Sequence, residues 1–496
     1  MAKAIDSSAV PQPEPVYRQL YEQIRSSILA GQLPAGTRLP ASRQLALENG
    51  VSRNTVLAAF EQLHAEGYIE GRHGSGTYVA RTLPDRMLRA TRSPAIETDH
   101  YPSSSKEARL SARGRALAEA PRMPVSDLPE TVFNGTAFRI GLPALDQFPS
   151  VTWGRIHASR SRQQGRALMQ YNDPAGYRPL REEIASYLAV ARGIRCVPEQ
   201  VIVTSGSQQA LELCARILLD PDDPAWLEDP GYLGARAALI SAGARIVPVP
   251  VDERGIDVSE GIAGEPAARL AVVTPSHQFP LGVTLSLDRR LKLLEWAARS
   301  DAWVIEDDYD CEFRYQGRPL AALQAIDGQR RVIYVGTFSK TMFPGLRLGY
   351  LVAPTALADA FVGAHMGTDV HRSALDQAAM ADFMMGGHFL RHVRRMRTLY
   401  KERQRVLVDC VRSLRPDLVV RPAEGGLHVL GRLATGYDDQ VVAQAAADRG
   451  IHAWPLSIHA MANTQPPAIL LGYAGIREVD IPYGVKLLGE ALRACS

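Results

Sequence analysis

The sequence predicts a two-part α/β protein: a small helical module closed by a hairpin, then a large body on a mainly parallel sheet with helices on both faces. Three observations predict this. The chain has 496 residues, more than one ordinary domain of about 100–200 residues accommodates. Its first 80 residues carry three amphipathic helical patterns and two strand-like runs separated by turns. From residue 131 onward, short apolar runs alternate with helical patterns, as in βαβ units. Composition agrees, since 46% hydrophobic and 22% charged residues describe a globular chain and exclude disorder as its overall state. A net charge of +3 is too weak to identify a partner, so any partner has to be argued from local residues. Cys196, Cys214, Cys311, Cys410 and Cys495 are scattered without CxxC or Cys/His spacing. No disulfide framework and no metal site are therefore expected, which points to a reducing cytoplasm. The sequence shows no apolar leader and no run of about 18 apolar residues, so neither export nor membrane spanning is expected.

In chain order, Val16, Leu20, Ile24, Ile28 and Leu29 recur at helical spacing after Pro11, Pro13 and Pro15, and Gly31 stops the pattern. A turn-rich connector, Leu33 to Pro40, leads to Ser42, which is expected to cap a short helix ending before Asn49-Gly50. Ser52 is expected to cap a third helix with Val56, Ala59, Phe60 and Leu63 on its buried stripe. Tyr68 to Glu70 and Thr77 to Val79 then read as two strands around a glycine-rich loop, a wing-like hairpin. Residues 1–80 form the first domain. From 81 to 130 periodicity fades while Pro, Ser, Arg and Ala accumulate, which reads as a flexible basic linker. Residues 131–496 form the body, with strands expected at Val201 to Thr204, Ala225 to Glu228, Arg245 to Val249, Leu270 to Thr274, Trp303 to Glu306 and Val332 to Val335.

Two short helices joined by a tight turn, the second polar at its start, suit a helix-turn-helix whose recognition helix offers its first side chains to base edges. That start holds Ser52, Arg53, Asn54 and Thr55. Arg53 is suited to bidentate bonding with guanine and Asn54 to adenine, while Ser52 and Thr55 with the helix N-terminus suit phosphate. Arg43 can reach backbone from the preceding helix, and His73 between glycines suits a wing tip. Read singly, the same residues would be a solvated cap and a surface turn. The whole run from Pro15 to Val79, however, resembles the GntR family of winged-helix regulators. That resemblance implies double-stranded DNA as partner, with Arg43, Ser52, Arg53, Asn54, Thr55, His73 and Gly74 at contact positions.

The segment VIYVGTFSKTMFPGLRLGY carries the strongest chemical signal in the body. A lysine at a strand end, Lys340, can form a Schiff base with an aldehyde; Thr337 and Ser339 can bond a phosphate, and Arg347 can pair with it. Asp307, after an apolar strand, can keep a pyridine nitrogen protonated, and Tyr309 can bond a ring oxygen. Ser207 and Gln208 open a helix after the strand ending at Thr204, a place for phosphate. Tyr232 can stack on a planar ring. Taken alone, Lys340 would be a surface lysine, Asp307 and Ser207 caps, and Tyr232 core. Together they resemble fold-type I pyridoxal-phosphate enzymes of the aminotransferase class, which implies pyridoxal 5'-phosphate as cofactor. By the same resemblance Tyr171, in YNDPAG, serves the partner subunit's phosphate site, implying a homodimer.

With TPSHQFPLG and EDDYDCEFRY, the joined head and body resemble the MocR/GabR subfamily of GntR regulators. The implied function is a cytoplasmic transcription regulator that senses a small amino compound, or the cofactor itself, in its body. Two departures stand out. Phe279-Pro280 replaces the usual Asn-Pro, leaving His277 or Gln278 as substitutes, and Leu470 to Ala474 lacks the arginine that holds a substrate carboxylate, leaving Arg477 or another arginine to compensate. The other reading is a working aminotransferase with an appended DNA-binding head, although turnover would need a well-made carboxylate site. A linker of about 45 residues spans roughly 35–40 Å r.m.s.. Each head is therefore able to pack on the partner's body, head to tail, and two heads are expected to meet paired or repeated half-sites.

Overall fold

A computed structural model describes residues 15–72, 76–83, 110–121, 137–315 and 321–495. The chain divides into two compact units, Met1–Ala108 and Arg109–Ser496.

In the first unit, α1 (Val16–Leu29), α2 (Ser42–Glu48) and α3 (Arg53–Ala65) precede a hairpin of β1 (Ile69–Arg72) and β2 (Gly76–Val79). The apolar stripes meet as their spacing predicts: Leu20, Ile24 and Ile28 of α1 pack with Val56, Ala59 and Leu63 of α3. Each of the leucine, isoleucine and valine side chains stabilises the fold by about 1.5–3 kcal/mol when fully buried. Val16 and Leu47 instead stay exposed. β1 and β2 pair antiparallel from Ile69 opposite Val79 to Arg72 opposite Gly76. The connector after α1 adds a third edge, because Leu39 N donates to Thr77 O and Val79 N donates to Thr37 O. Ser42 is the first helical residue rather than the cap; Ala41 takes the cap position without a side-chain bond. Ser52 caps α3 as expected, its hydroxyl accepting from Thr55 N at 3.1 Å.

The second unit holds an eight-stranded sheet: β3 (Val201–Thr204), β4 (Pro224–Asp229), β5 (Arg245–Asp252), β6 (Gly255–Ile256), β7 (Leu270–Val273), β8 (Trp303–Asp308), β9 (Val332–Thr337) and β10 (Gly349–Val352). Their order is β3-β10-β9-β8-β7-β4-β5-β6. β9, β8, β7, β4 and β5 run parallel, whereas β10 is antiparallel to both neighbours. Both faces are covered, so strand residues feed two cores alternately: Val201 and Val203 join one cluster and Ile202 another. Strands buried on both sides lose the polar alternation of half-exposed ones, which is why these segments read as plain apolar runs. A second, antiparallel sheet holds β11 (Leu418–Val420), β12 (His428–Leu433), β13 (Trp454–Pro455) and β14 (Ala468–Gly472), ordered β11-β12-β14-β13. It packs in one core with the helices His388–Val411 and Ile481–Cys495.

Within residues 81–130, expected to be a flexible basic linker, Ala112–Glu119 is a helix, capped by Ser111, whose hydroxyl accepts from Gly114 N at 2.9 Å. It lies against the helix Leu233–Ala242 but buries none of its own residues. Lacking an apolar stripe, it gave the sequence no periodicity to detect.

Candidate functional site

The parallel strands β8 and β9, with β3 beside β10, end on one side of the sheet, where open α/β folds place their ligands. A cavity of about 190 Å³ opens there. Its lining includes every residue that the sequence placed in the body's own site: Ser207, Gln208, Tyr232, Asp307, Tyr309, Thr337, Ser339, Lys340 and Arg347. Tyr171 is not among them. It is 89% exposed, with His371 edge-on at 6.1 Å.

The acidic run after β8 sorts itself by partners. Glu306 accepts from Leu323 N and Gln324 N, each at 2.8 Å. Asp308 pairs with Arg192 at 2.7 Å and accepts from Tyr334 at the same distance, and Asp310 lies 3.0 Å from His277. Asp307 alone keeps a buried oxygen, Oδ1, without a partner among the described residues, while lining the cavity. Burial pushes its carboxyl up to about 7, Asp308 adds to the rise, and Lys340 opposes it. A buried, unsatisfied carboxylate is costly unless a cationic donor meets it.

Lys340 follows β9 and donates to Gly141 O at 3.0 Å. Burial holds its ammonium below the usual lysine range, against the pull of Asp310 and Asp307. Gly141 has φ +69°, and a Cβ there would stand 2.4 Å from Lys340 Nζ. A side chain there would have to adopt a left-handed backbone and displace the end of the lysine.

At the opposite end the helix Ser207–Leu218 points its N-terminus at the cavity through Gly206, whose φ is +122°. Ser339 N donates to Thr337 Oγ1 at 3.1 Å, and Arg347, in a left-handed conformation, brings an exposed guanidinium to the same rim. Hydroxyls, a helix N-terminus and an arginine together form a receptor for a phosphate.

Neither expected substitute for the missing asparagine reaches the cavity. Gln278 is spent on Pro230 O at 2.9 Å and Phe279 O at 2.8 Å, and His277 lies behind Tyr309, 3.0 Å from its hydroxyl. Phe279 itself lines the cavity, edge-on to Tyr232 and Tyr309. Arg477 does not compensate for the absent arginine, since it is exposed and paired with Asp480 at 2.6 Å. On β14, Leu470 is fully buried in a cluster with Ile140, Phe279 and Trp454. Among the described lining residues the cations are Lys340 and Arg347. Sequence reasoning also missed Ile140, Gly141, Thr274, Pro344, Leu427 and His428. His428 is neutral, because burial and then His277 push it down to about 3.

In the first unit, Arg43, Arg53 and Asn54 are exposed and Thr55 is half-buried. Arg53 Nε lies 3.4 Å from Ser42 Oγ, a bond that links α3 to α2. Ser52 and Thr55 share a 2.8 Å hydroxyl contact, so both are engaged in the cap. His73 and Gly74 lie outside the described residues. Among the described residues no helix is long and apolar enough to cross a membrane, and no group of three or more His, Cys, Asp and Glu could hold a metal ion.

Residues 139–486 match the family "aminotransferase class I and II", and residues 16–79 match "bacterial regulatory proteins, gntR family". The chain is 42% identical to the probable rhizopine catabolism regulatory protein MocR of Rhizobium meliloti, over 97% of this chain and 94% of that one. It is 33% identical to the pyridoxine biosynthesis transcriptional regulator PdxR of Corynebacterium glutamicum, over 97% of each. Among solved structures it is similar to the α-aminoadipate aminotransferase LysN of Thermus thermophilus, complexed with a phosphopyridoxyl-leucine, with TM-score 0.70 and 29% identity over 77% of this chain and 97% of that one.

Proposed function

The chain belongs to the aminotransferase class I and II family over its body and to the gntR family of regulators over its head, and from that premise we propose that an amine reacting in the body controls how the head meets DNA. The protein is a pyridoxal-phosphate-binding, HTH-type transcription regulator of the MocR type. The observation that carries the proposal is the meeting, in one cavity, of a charge-depressed Lys340 and a carboxylate, Asp307, with an unpartnered oxygen.

The donor set fits the cofactor. In this reading Asp307 holds the ring-nitrogen proton, Tyr309 faces the ring oxygen, and Tyr232 and Phe279 bound the ring. Ser207, Thr337, Ser339, Arg347 and the amide end of the helix Ser207–Leu218 take the phosphate; Gln208 is tied to Gly234 O at 3.0 Å and shapes the wall. Pyridoxal phosphate supplies an aldehyde that condenses with amines. Lys340 would provide the amine that holds it, and because burial weakens the ammonium, its proton would leave more readily. Gly141 O accepts from the lysine amine at the cavity lining.

The effector is a small amino compound or the cofactor itself. With Arg347 assigned to the phosphate, no third cation on the described lining and Leu470 buried among apolar side chains, the described lining leaves no second arginine for an α-carboxylate. This favours regulation over turnover, which needs a held carboxylate. Arg43, Arg53 and Asn54, exposed on the head, read the operator, with Ser52 and Thr55 fixing the start of α3; His73 and Gly74 belong to the same proposed contact. Borohydride reduction followed by peptide mass spectrometry is expected to place a pyridoxyl group on Lys340 and none in Lys340→Ala. A pyridoxyl group on another lysine would sink the assignment. Amino donors are expected to change operator affinity while producing little keto acid, and efficient turnover would instead favour a working aminotransferase.

A further inference from the structure

His277 belongs to TPSHQFPLG, a motif from which the proposed function uses Phe279 alone. Its Nδ1 lies 3.0 Å from Asp310 Oδ2 and 3.0 Å from the Tyr309 hydroxyl. The ring is only 8% exposed and sits in a slot between two glycines in left-handed conformations. A Cβ on Gly426 would stand 2.2 Å from Cε1, and one on Gly282 would stand 3.2 Å from Nε2. Such a slot admits the imidazole in one plane and keeps Nδ1 aimed at both oxygens.

We propose that His277, held by Asp310, is a positioning residue that fixes the Tyr309 hydroxyl as a hydrogen-bond donor into the cofactor cavity. A carboxylate only accepts, so Nδ1 beside Asp310 carries the proton. A protonated Nδ1 cannot accept from Tyr309, whose own O–H is then turned away, toward the cavity it lines. Phe279 offers no amide there, and Gln278 is spent on backbone carbonyls, so Tyr309 is the polar group that faces the ring oxygen. The groups facing His277 are Asp310 and Tyr309 from the segment after β8, the neutral His428 ring at 5.4 Å on β12, and Arg314, whose charge opposes protonation. Burial also opposes it, but Asp310 outweighs both and holds the imidazole above its ordinary range.

This inference rests on the cofactor reading of the cavity, and the test separates the two. The bound cofactor's visible band is titrated against pH in the full-length loaded protein. A donor to the ring oxygen stabilises the form that carries charge on that oxygen, so weakening it raises the midpoint. Tyr309→Phe sets the reference shift, expected to be about one pH unit upward, the effect of losing one hydrogen bond to a charged oxygen. His277→Phe and His277→Gln, which place no N–H at the Nδ1 position, are expected to move the midpoint up by about half a unit or more. His277→Asn, whose amide nitrogen reproduces Nδ1, is expected to titrate like the parent, and adding His277→Gln to Tyr309→Phe to give no further shift. If Tyr309→Phe shifts the band while His277→Phe and His277→Gln leave it in place, or if their shifts add to that of Tyr309→Phe, the positioning role is overturned and the cofactor reading survives. A Tyr309→Phe protein that titrates like the parent would overturn both.

Discussion

Asp307 stands among four acids within five residues, and its neighbours' bonds are what single it out: Glu306, Asp308 and Asp310 are satisfied by backbone amides, Arg192 and His277, while Asp307 Oδ1 is not. Its raised value has a consequence for stability. A free aspartate titrates near 3.9 and buried Asp307 near 7, so between about pH 4 and 7 the folded chain holds a proton that the unfolded chain has lost. The cofactor-free protein therefore loses stability as pH rises through that window, by up to about 4 kcal/mol from this group. Glu228 and Glu312 are raised in the same direction by burial, but a ring-nitrogen cation would meet Asp307 alone. The gain in melting temperature on adding cofactor is expected to be larger at pH 8 than at pH 5, and Asp307→Asn to remove that difference; equal gains at both pH values in the parent would count against the assignment. Gly141 supplies a second expectation. Because Gly141 holds φ +69° and its carbonyl accepts from the lysine amine, Gly141→Ala is expected to lower covalent cofactor loading; full loading, read by absorbance, would show that backbone and lysine adjust without loss. Lys340, Asp307 and Arg347 were legible because their chemistry is carried by residue type beside a strand end. Gly141, Leu427 and His428 come from distant segments, and no local pattern links them to the cavity.

At the scale of elements, the strands that were legible are those with both faces buried, since uninterrupted apolar runs such as Val201–Thr204 and Val332–Thr337 announce themselves. β10 was not identified because Gly349–Val352 follows the lysine motif directly and runs against its neighbours, outside the βαβ rhythm. The two-residue β13 is below any useful periodicity, and the helix Ala112–Glu119 has no apolar stripe. Caps were legible where a hydroxyl truly closes the helix, as at Ser52, and misleading at Ser42, where Ala41 takes the cap and the hydroxyl faces Arg53 instead. That contact gives α3 its test. Arg53, exposed at the start of α3 with its Nε 3.4 Å from Ser42 Oγ, stands where a side chain can meet base edges. Arg53→Ala is expected to cost about 1–3 kcal/mol at the operator and to change binding to random DNA little. Equal losses on both DNAs in a salt-controlled shift assay would assign Arg53 to the backbone.

At the scale of the whole molecule, Tyr171 poses the architectural question. It is among the more exposed large side chains of the body, absent from the cavity lining of its own chain and held only edge-on to His371. We propose that this exposure serves a two-fold dimer, in which each Tyr171 would reach the partner's phosphate site, as the resemblance of its segment implies. An isologous dimer carries two heads, so its DNA should present two half-sites whose spacing is set by the dimer. The segment around Arg86 to Ser105 joins head to body in sequence, and we propose that its length limits how far apart the heads can be placed. Sedimentation of the loaded protein is expected to give a dimer, footprinting to show two protected half-sites, and Tyr171→Phe to weaken cofactor retention without altering the head's affinity for a single half-site. Deleting ten residues between Arg86 and Ser105 should impair binding to the paired site while leaving the cofactor's absorption intact, because the deletion touches no lining residue of the cavity. A cofactor-loaded monomer, or a dimer that occupies one half-site with full affinity, would overturn this arrangement: the first because Tyr171 would have no partner to serve, the second because the paired heads would contribute nothing to recognition.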